Sequence, residues 1–210
     1  MLKKILAFII FCLGFGFVQG QTMEIVFGKM PNDILFLLDS IKRQDLMDLY
    51  KDNKTAQVLN TFEGLSTLRE LSDDHLLLEM GNTKYTFALL PMINHSKLLC
   101  VIQTVCAPAC DSKIKFYSTD WKAIDSKQLF SPAGAEWFLK DASDSDYFET
   151  MLNKSRLDIS MMEYRYDKEQ QTINQYFNSQ LMIDQDERKK MESILKSEPK
   201  IFYWTSTRFE

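Results

Sequence analysis

Residues 84–119 read KYTFALLPMINHSKLLCVIQTVCAPACDSKIKFYST. Tyr85, Phe87 and Leu89 alternate with Lys84, Thr86 and Ala88, a period of two that marks a strand over Lys84–Pro91. Lys97–Cys106 is a long apolar run rich in branched residues, and Lys113–Thr119 alternates again, with Ile114 and Phe116 facing one way and Lys113 and Lys115 the other. Short turns separate these runs, so the strands pair in antiparallel fashion. The segment Cys106-Ala-Pro-Ala-Cys110 then falls at a hairpin tip, with Pro108 keeping it out of helix.

The pattern extends upstream. Gln57–Glu63, Ser66–Leu71 and His75–Met80 read as further strands, with a tight turn at Gly81-Asn82. Before them, residues 22–50 carry helical spacing. Met23, Val26, Phe27 and Met30 form one segment after Thr22. Pro31 ends it, Asn32 or Asp33 starts a second with Ile34 to Ile41, and Asp45 opens a third. Downstream, residues 123–153 return to helical spacing through Ala135, Phe138, Phe148, Met151 and Leu152. Leu157–Tyr166, Thr172–Ile183 and Lys200–Phe209 read as strands. Asp184, with Glu187 three residues on and Pro199 beyond, frames a helix before the last strand.

The expected fold class is therefore α+β, with antiparallel sheets packed with helices. Both halves run helix first and strands after, which suggests two similar small subdomains or half-barrels; a single long curved sheet is the rival. The small, acidic stretch Asp141–Asp146 divides the chain into 21–140 and 141–210.

The first twenty residues stand apart. Lys3 and Lys4 precede an apolar run from Ile5 to Val18, and polar sequence begins at Gln21 after Gly20. This is the layout of a secretory signal cleaved after Gly20, and the run is short for a membrane span. Its removal takes two of the 25 basic side chains and none of the 29 acids, leaving a net charge of about −6. No basic cluster stands out, so nucleic acid is excluded as a partner. The expected location is periplasmic or secreted, with no integral membrane span after cleavage.

Several strings resemble an uncharacterised family of secreted proteins from Bacteroides-type bacteria, a domain-of-unknown-function family of the DUF3256 kind. They are Met30-Pro31 with Ile34 and Leu35, Asp45 to Tyr50, STLRELSDD at Ser66–Asp74, and TVCAPACDS at Thr104–Ser112 continuing to Trp121. The end, Tyr203-Trp204 to Arg208-Phe209, also fits. The resemblance covers most of residues 22–210. It implies an exported α+β protein and brings no activity with it.

Export places Cys100, Cys106 and Cys110 in an oxidising compartment, and a structural Cys106–Cys110 bridge is expected. Redox use of this pair is the sharper reading, though its spacing differs from the usual two-residue one. Cys100 lies in an apolar strand and reads as a small hydrophobe. No metal site is expected, because His75 and His95 lie outside the cysteine motif. No nucleophile elbow, P-loop or dinucleotide fingerprint is present, so no catalytic residue and no cofactor are assigned. Asp73-Asp74 suits a turn, and Asp111 suits backbone bonding at the hairpin tip.

Aromatic residues supply the candidate binding surface: Tyr117, Trp121, Tyr164, Tyr166, Tyr203 and Trp204. Exposed platforms of this kind take a glycan, a peptide or a protein partner. The preferred function is a non-catalytic binding protein of the cell envelope, with a protein, glycan or apolar ligand as partner. A carrier for apolar ligands and a thiol oxidoreductase are the alternatives.

Overall fold

The computed structural model describes residues 21–154 and 160–210. The expected signal at 1–20 and the start of the strand expected from Leu157 lie outside the described residues. Among the described residues ten strands form two antiparallel sheets, with helices packed around them. The first sheet has seven strands in sequence order: β1 (Gln57–Leu59), β2 (Leu65–Leu71), β3 (His75–Met80), β4 (Thr83–Pro91), β5 (Lys97–Cys106), β6 (Cys110–Ser118) and β7 (Ala123–Ile124). The second has three, ordered β10 (Lys200–Tyr203), β9 (Thr172–Phe177), β8 (Met162–Asp167). The fold is α+β, and neither sheet closes into a barrel.

The two faces of the large sheet have different covers. One face packs under α1 (Met23–Gly28) and α2 (Ser40–Lys51). Leu76 and Leu78 of β3, Phe87 and Leu89 of β4, and Leu99 and Val101 of β5 meet Phe27, Leu46 and Met47 there. These strand positions are two apart, as the pleat requires. The other face presents Ala88, Leu90, Leu98, Cys100, Ile102 and Phe116. It packs against Ile173 and Phe202 of the small sheet and against Phe130 and Phe209. A third cluster joins Phe177 and Met162 to Phe138, to Phe148 of α3 (Ser145–Lys154) and to Met191 of α4 (Gln185–Ile194).

The sequence reading needs three local corrections. Residues 31–38 form turns, and Asp39 caps α2 by accepting from Lys42 N, so Asp45 lies inside that helix. The cause is Arg43, which is fully buried. Its guanidinium donates to the carbonyls of Leu38 (2.7 Å) and Met30 and to Asn32 Oδ1 (3.2 Å). Backbone carbonyls held by a side chain have no need of a helical partner. Residues 123–140 hold β7 and two 3₁₀ turns, Ser126–Gln128 and Ala135–Phe138, and α3 begins at Ser145. The last strand stops at Tyr203, and a hairpin returns so that Trp204 bridges Phe209.

Other features follow the sequence closely. Gly81 takes φ 58° in the two-residue β3–β4 turn, a conformation open to glycine. Asp184 caps α4 by accepting from the amides of Asp186 and Glu187.

Candidate functional site

The cysteine hairpin anchors the small sheet on the large one. Cys106 and Cys110 are directly opposed in the β5–β6 register and form a disulfide. Beside it, Asp111 Oδ1 accepts from Met162 N at 3.0 Å and Ser112 Oγ accepts from Tyr164 N at 3.0 Å. Asn178 Nδ2 donates to the Cys110 carbonyl at 3.2 Å. These contacts satisfy amides along the outer edge of β8, which would otherwise lie unpaired against protein.

From that anchor β8 crosses the large sheet. It meets β6 at Met162 and Tyr164, stacks Tyr166 on His75 of β3 (ring centroids 6.1 Å apart), and ends where Lys168 reaches Glu70 of β2 at 2.9 Å. A cleft of about 500 Å³ opens alongside this crossing strand. Leu77, Thr86 and Thr104 form its floor, Tyr164 and Tyr166 are on its wall, and Lys84 stands at its rim.

One row across the large sheet explains the composition of this place. His75, Ala88, Cys100 and Phe116 are successive partners across β3–β6 and share a face. Under the small sheet the row is apolar, and at its β3 end it carries His75, which Tyr166 covers at the side of the cleft. The same face holds Lys84, Thr86 and Thr104 in its open part.

Glu70 reaches the cleft through a bulge. The β2–β3 register slips between Leu68 and Glu70, so Glu70 pairs with Leu77 and Leu71 with core residue Leu76. Without the extra residue, Glu70 would share the helix-covered face of Leu68. Its Oε2 lies 3.4 Å from His75 Nδ1. That contact is close enough for an ion pair but too poorly aligned for a hydrogen bond, and Nδ1 is buried without one. The alignment decides, so the pair counts as charge proximity.

The electrostatics follow from these contacts. Burial depresses the His75 pKa below its ordinary 6.5, and nearby Glu70 only partly opposes this. The hydrogen bond from Lys168 holds the Glu70 carboxyl below its ordinary range. Burial raises the Glu163 pKa, but hydrogen bonds from Arg165 and Asn178 outweigh it and the net shift is downward. Arg165 forks onto Glu163 at 2.7 and 2.9 Å and lies over the Tyr176 ring at 4.5 Å. Burial pushes the Tyr164 hydroxyl up to about 12 and the Tyr166 hydroxyl higher, so both remain O–H donors at neutral pH.

The six aromatic residues expected to share a surface are dispersed. Tyr117 and Trp121 are buried in the core under the helices; Trp121 Nε1 donates to the Val26 carbonyl at 2.8 Å. Helix α1 covers their face, which a period of two cannot reveal. Tyr164 and Tyr166 line the cleft. Tyr203 is exposed on the opposite face of the small sheet, and Trp204 is pinned by its donation to the Pro91 carbonyl at 2.7 Å. Glu70 and Lys168 were not named from the sequence, and His75 was weighed there only as a metal ligand and set aside. Cys100 is buried with its thiol pKa pushed up, which suits packing. Among the described residues no three His, Cys, Asp or Glu side chains group as metal ligands, and no helix is long and apolar enough to cross a membrane.

Layered sheets with an open cleft between them define an α+β protein of sheet-on-sheet construction. Its family is clear: residues 16–209 match the model for DUF3256, described as a protein of unknown function, and the chain belongs to that family. The structure of a domain of an uncharacterized protein from Porphyromonas gingivalis W83 shares the fold. Its TM-score is 0.78 at 24% identity, covering 91% of this chain and 98% of that one. Comparison with curated proteins gives no match.

Proposed function

We propose that the protein is an exported, non-catalytic binding protein that takes a polar ligand in the cleft beside β8. The polarity change along one face of the large sheet carries this reading. That face is apolar under the small sheet and turns to Lys84, Thr86 and the His75 imidazole alongside β8. Ligand sites are concave and combine some apolar wall with a few placed polar groups. The disulfide and the N-terminal basic and apolar run support the exported location.

An apolar cargo finds little support. The cavity between the turns at Met30 to Leu35 and the large sheet measures about 40 Å³, little more than one water's share of liquid. The Cys106–Cys110 bridge closes directly opposed strand ends that anchor β8, which favours a staple over an exchanging pair.

Thermal denaturation with four probes tests the reading: neutral oligosaccharides, acidic dipeptides, inorganic phosphate and palmitate-containing vesicles. Ligand bound to the native state raises the midpoint. A polar probe should stabilise the wild type and lose its effect in Thr86→Trp, which fills the floor. Stabilisation by vesicles alone, or stabilisation that survives Thr86→Trp, contradicts it.

A further inference from the structure

Resting on that reading of the cleft, we infer that its ligand is a neutral, hydroxyl-rich molecule, a glycan, rather than an anion or an acyl chain. The cations of the cleft already have carboxylate partners. Lys168 is paired with Glu70 at 2.9 Å, and Arg165 is forked onto Glu163 at 2.7 Å. Asp167 accepts from the turn amides of Glu169 and Gln170. Lys84 lies 4.0 Å from Glu79. A phosphate or carboxylate ligand would need a surplus of cations, and the four carboxylates Glu70, Glu163, Asp167 and Glu169 outnumber Lys84, Arg165 and Lys168.

The uncharged groups complete the match. Tyr164 and Tyr166 keep their hydroxyl protons and can donate. Thr86 can donate or accept. His75 is neutral at pH 7 because burial lowers its pKa. A neutral imidazole keeps one ring nitrogen with a lone pair, an acceptor for a ligand O–H. Interspersed donors and acceptors with little free charge fit hydroxyl groups, which do both. Leu77 and the ring of Tyr166 offer apolar surface for the C–H face of a sugar ring.

The imidazole also sets a pH dependence. The groups facing it are Glu70 from β2, Lys168 from the β8–β9 turn, Tyr166 from β8, and Asp74 on its own chain segment. Protonating the ring removes that lone pair, so affinity should fall as the pH drops below the ordinary histidine range.

The test is an array of neutral and acidic oligosaccharides, followed by calorimetry on the strongest neutral binder at pH 7.5 and 5. The inference expects neutral binders, affinity weaker at pH 5 than at pH 7.5, and about tenfold losses in Tyr166→Phe and His75→Gln, with the pH effect gone in His75→Gln. Circular dichroism and thermal midpoints confirm that each variant folds; should His75→Gln fail, Tyr166→Phe and the wild-type pH profile still decide. Binding only to acidic glycans, phosphate or vesicles, with loss in Thr86→Trp, overturns the glycan class and leaves the cleft reading standing. Neutral-glycan binding unchanged in Thr86→Trp and Tyr166→Phe overturns the cleft as its place. A blank array with folded protein overturns the class.

Discussion

His75 couples the cleft to folding as well as to ligand. Its pKa is depressed by burial in the folded chain, so the unfolded chain binds the proton more readily. The stability this histidine contributes is present above pH 6.5 and is lost as the pH falls through its lower folded value. Urea denaturation at pH 7.5 and at pH 5 should show a drop that is smaller in His75→Gln; an equal drop in both proteins would assign the effect to other groups. Arg43 acts where no ligand is involved. It is fully buried, lies over the Phe27 ring at 5.9 Å and gathers the carbonyls that shape residues 31–38. Arg43→Met should cost about 3 kcal/mol, since several bonds to a buried cation vanish and leave carbonyls unpaired. Denaturant midpoints measure this, and a loss below about 1 kcal/mol would show that the turns hold without it.

The β5–β6 hairpin is the joint between the sheets. Replacing both Cys106 and Cys110 by Ser should lower stability by roughly 2 kcal/mol, the value for so short a loop. It should also speed hydrogen exchange at the Met162 and Tyr164 amides, which bond Asp111 and Ser112 next to the bridge. Unchanged exchange there would mean that the tip grips β8 without its staple. Strands β4 and β6 were legible because polar and apolar residues alternate in them, β5 as a long apolar run between turns, and Gly81-Asn82 marks its turn by chemistry alone. Residues 31–38 were not, since Ile34, Leu35, Leu37 and Leu38 copy helical spacing while Arg43 takes the Met30 and Leu38 carbonyls at the two ends of the segment. Residues 123–140 gave no warning either: Phe130 and Phe138 plug two different clusters from irregular chain, and such anchoring leaves no period to read.

Across the whole molecule, the cleft exists because a three-stranded sheet is too small to cover a seven-stranded one, and β8 divides the covered part from the open part. Tyr164 and Tyr166 were legible as candidates because aromatic residues in a strand draw attention. Glu70 and His75 were not, because a bulge and a crossing strand bring them together, and neither leaves a mark in spacing. The trace that remained was polar, with Thr86 and Thr104 interrupting otherwise apolar strands. Export is tested by N-terminal sequencing of the protein recovered from the extracytoplasmic fraction, where the chain should begin at Gln21; an intact Met1 there would contradict cleavage. Binding beside β8 is decided by backbone amide shifts of the isotopically labelled protein during titration with the polar probe that most raises the thermal midpoint. Saturable shifts should gather at His75, Leu77, Thr86, Thr104 and Tyr166. Shifts gathered instead around Tyr203 on the far face of the small sheet, or none at saturating probe, would contradict it.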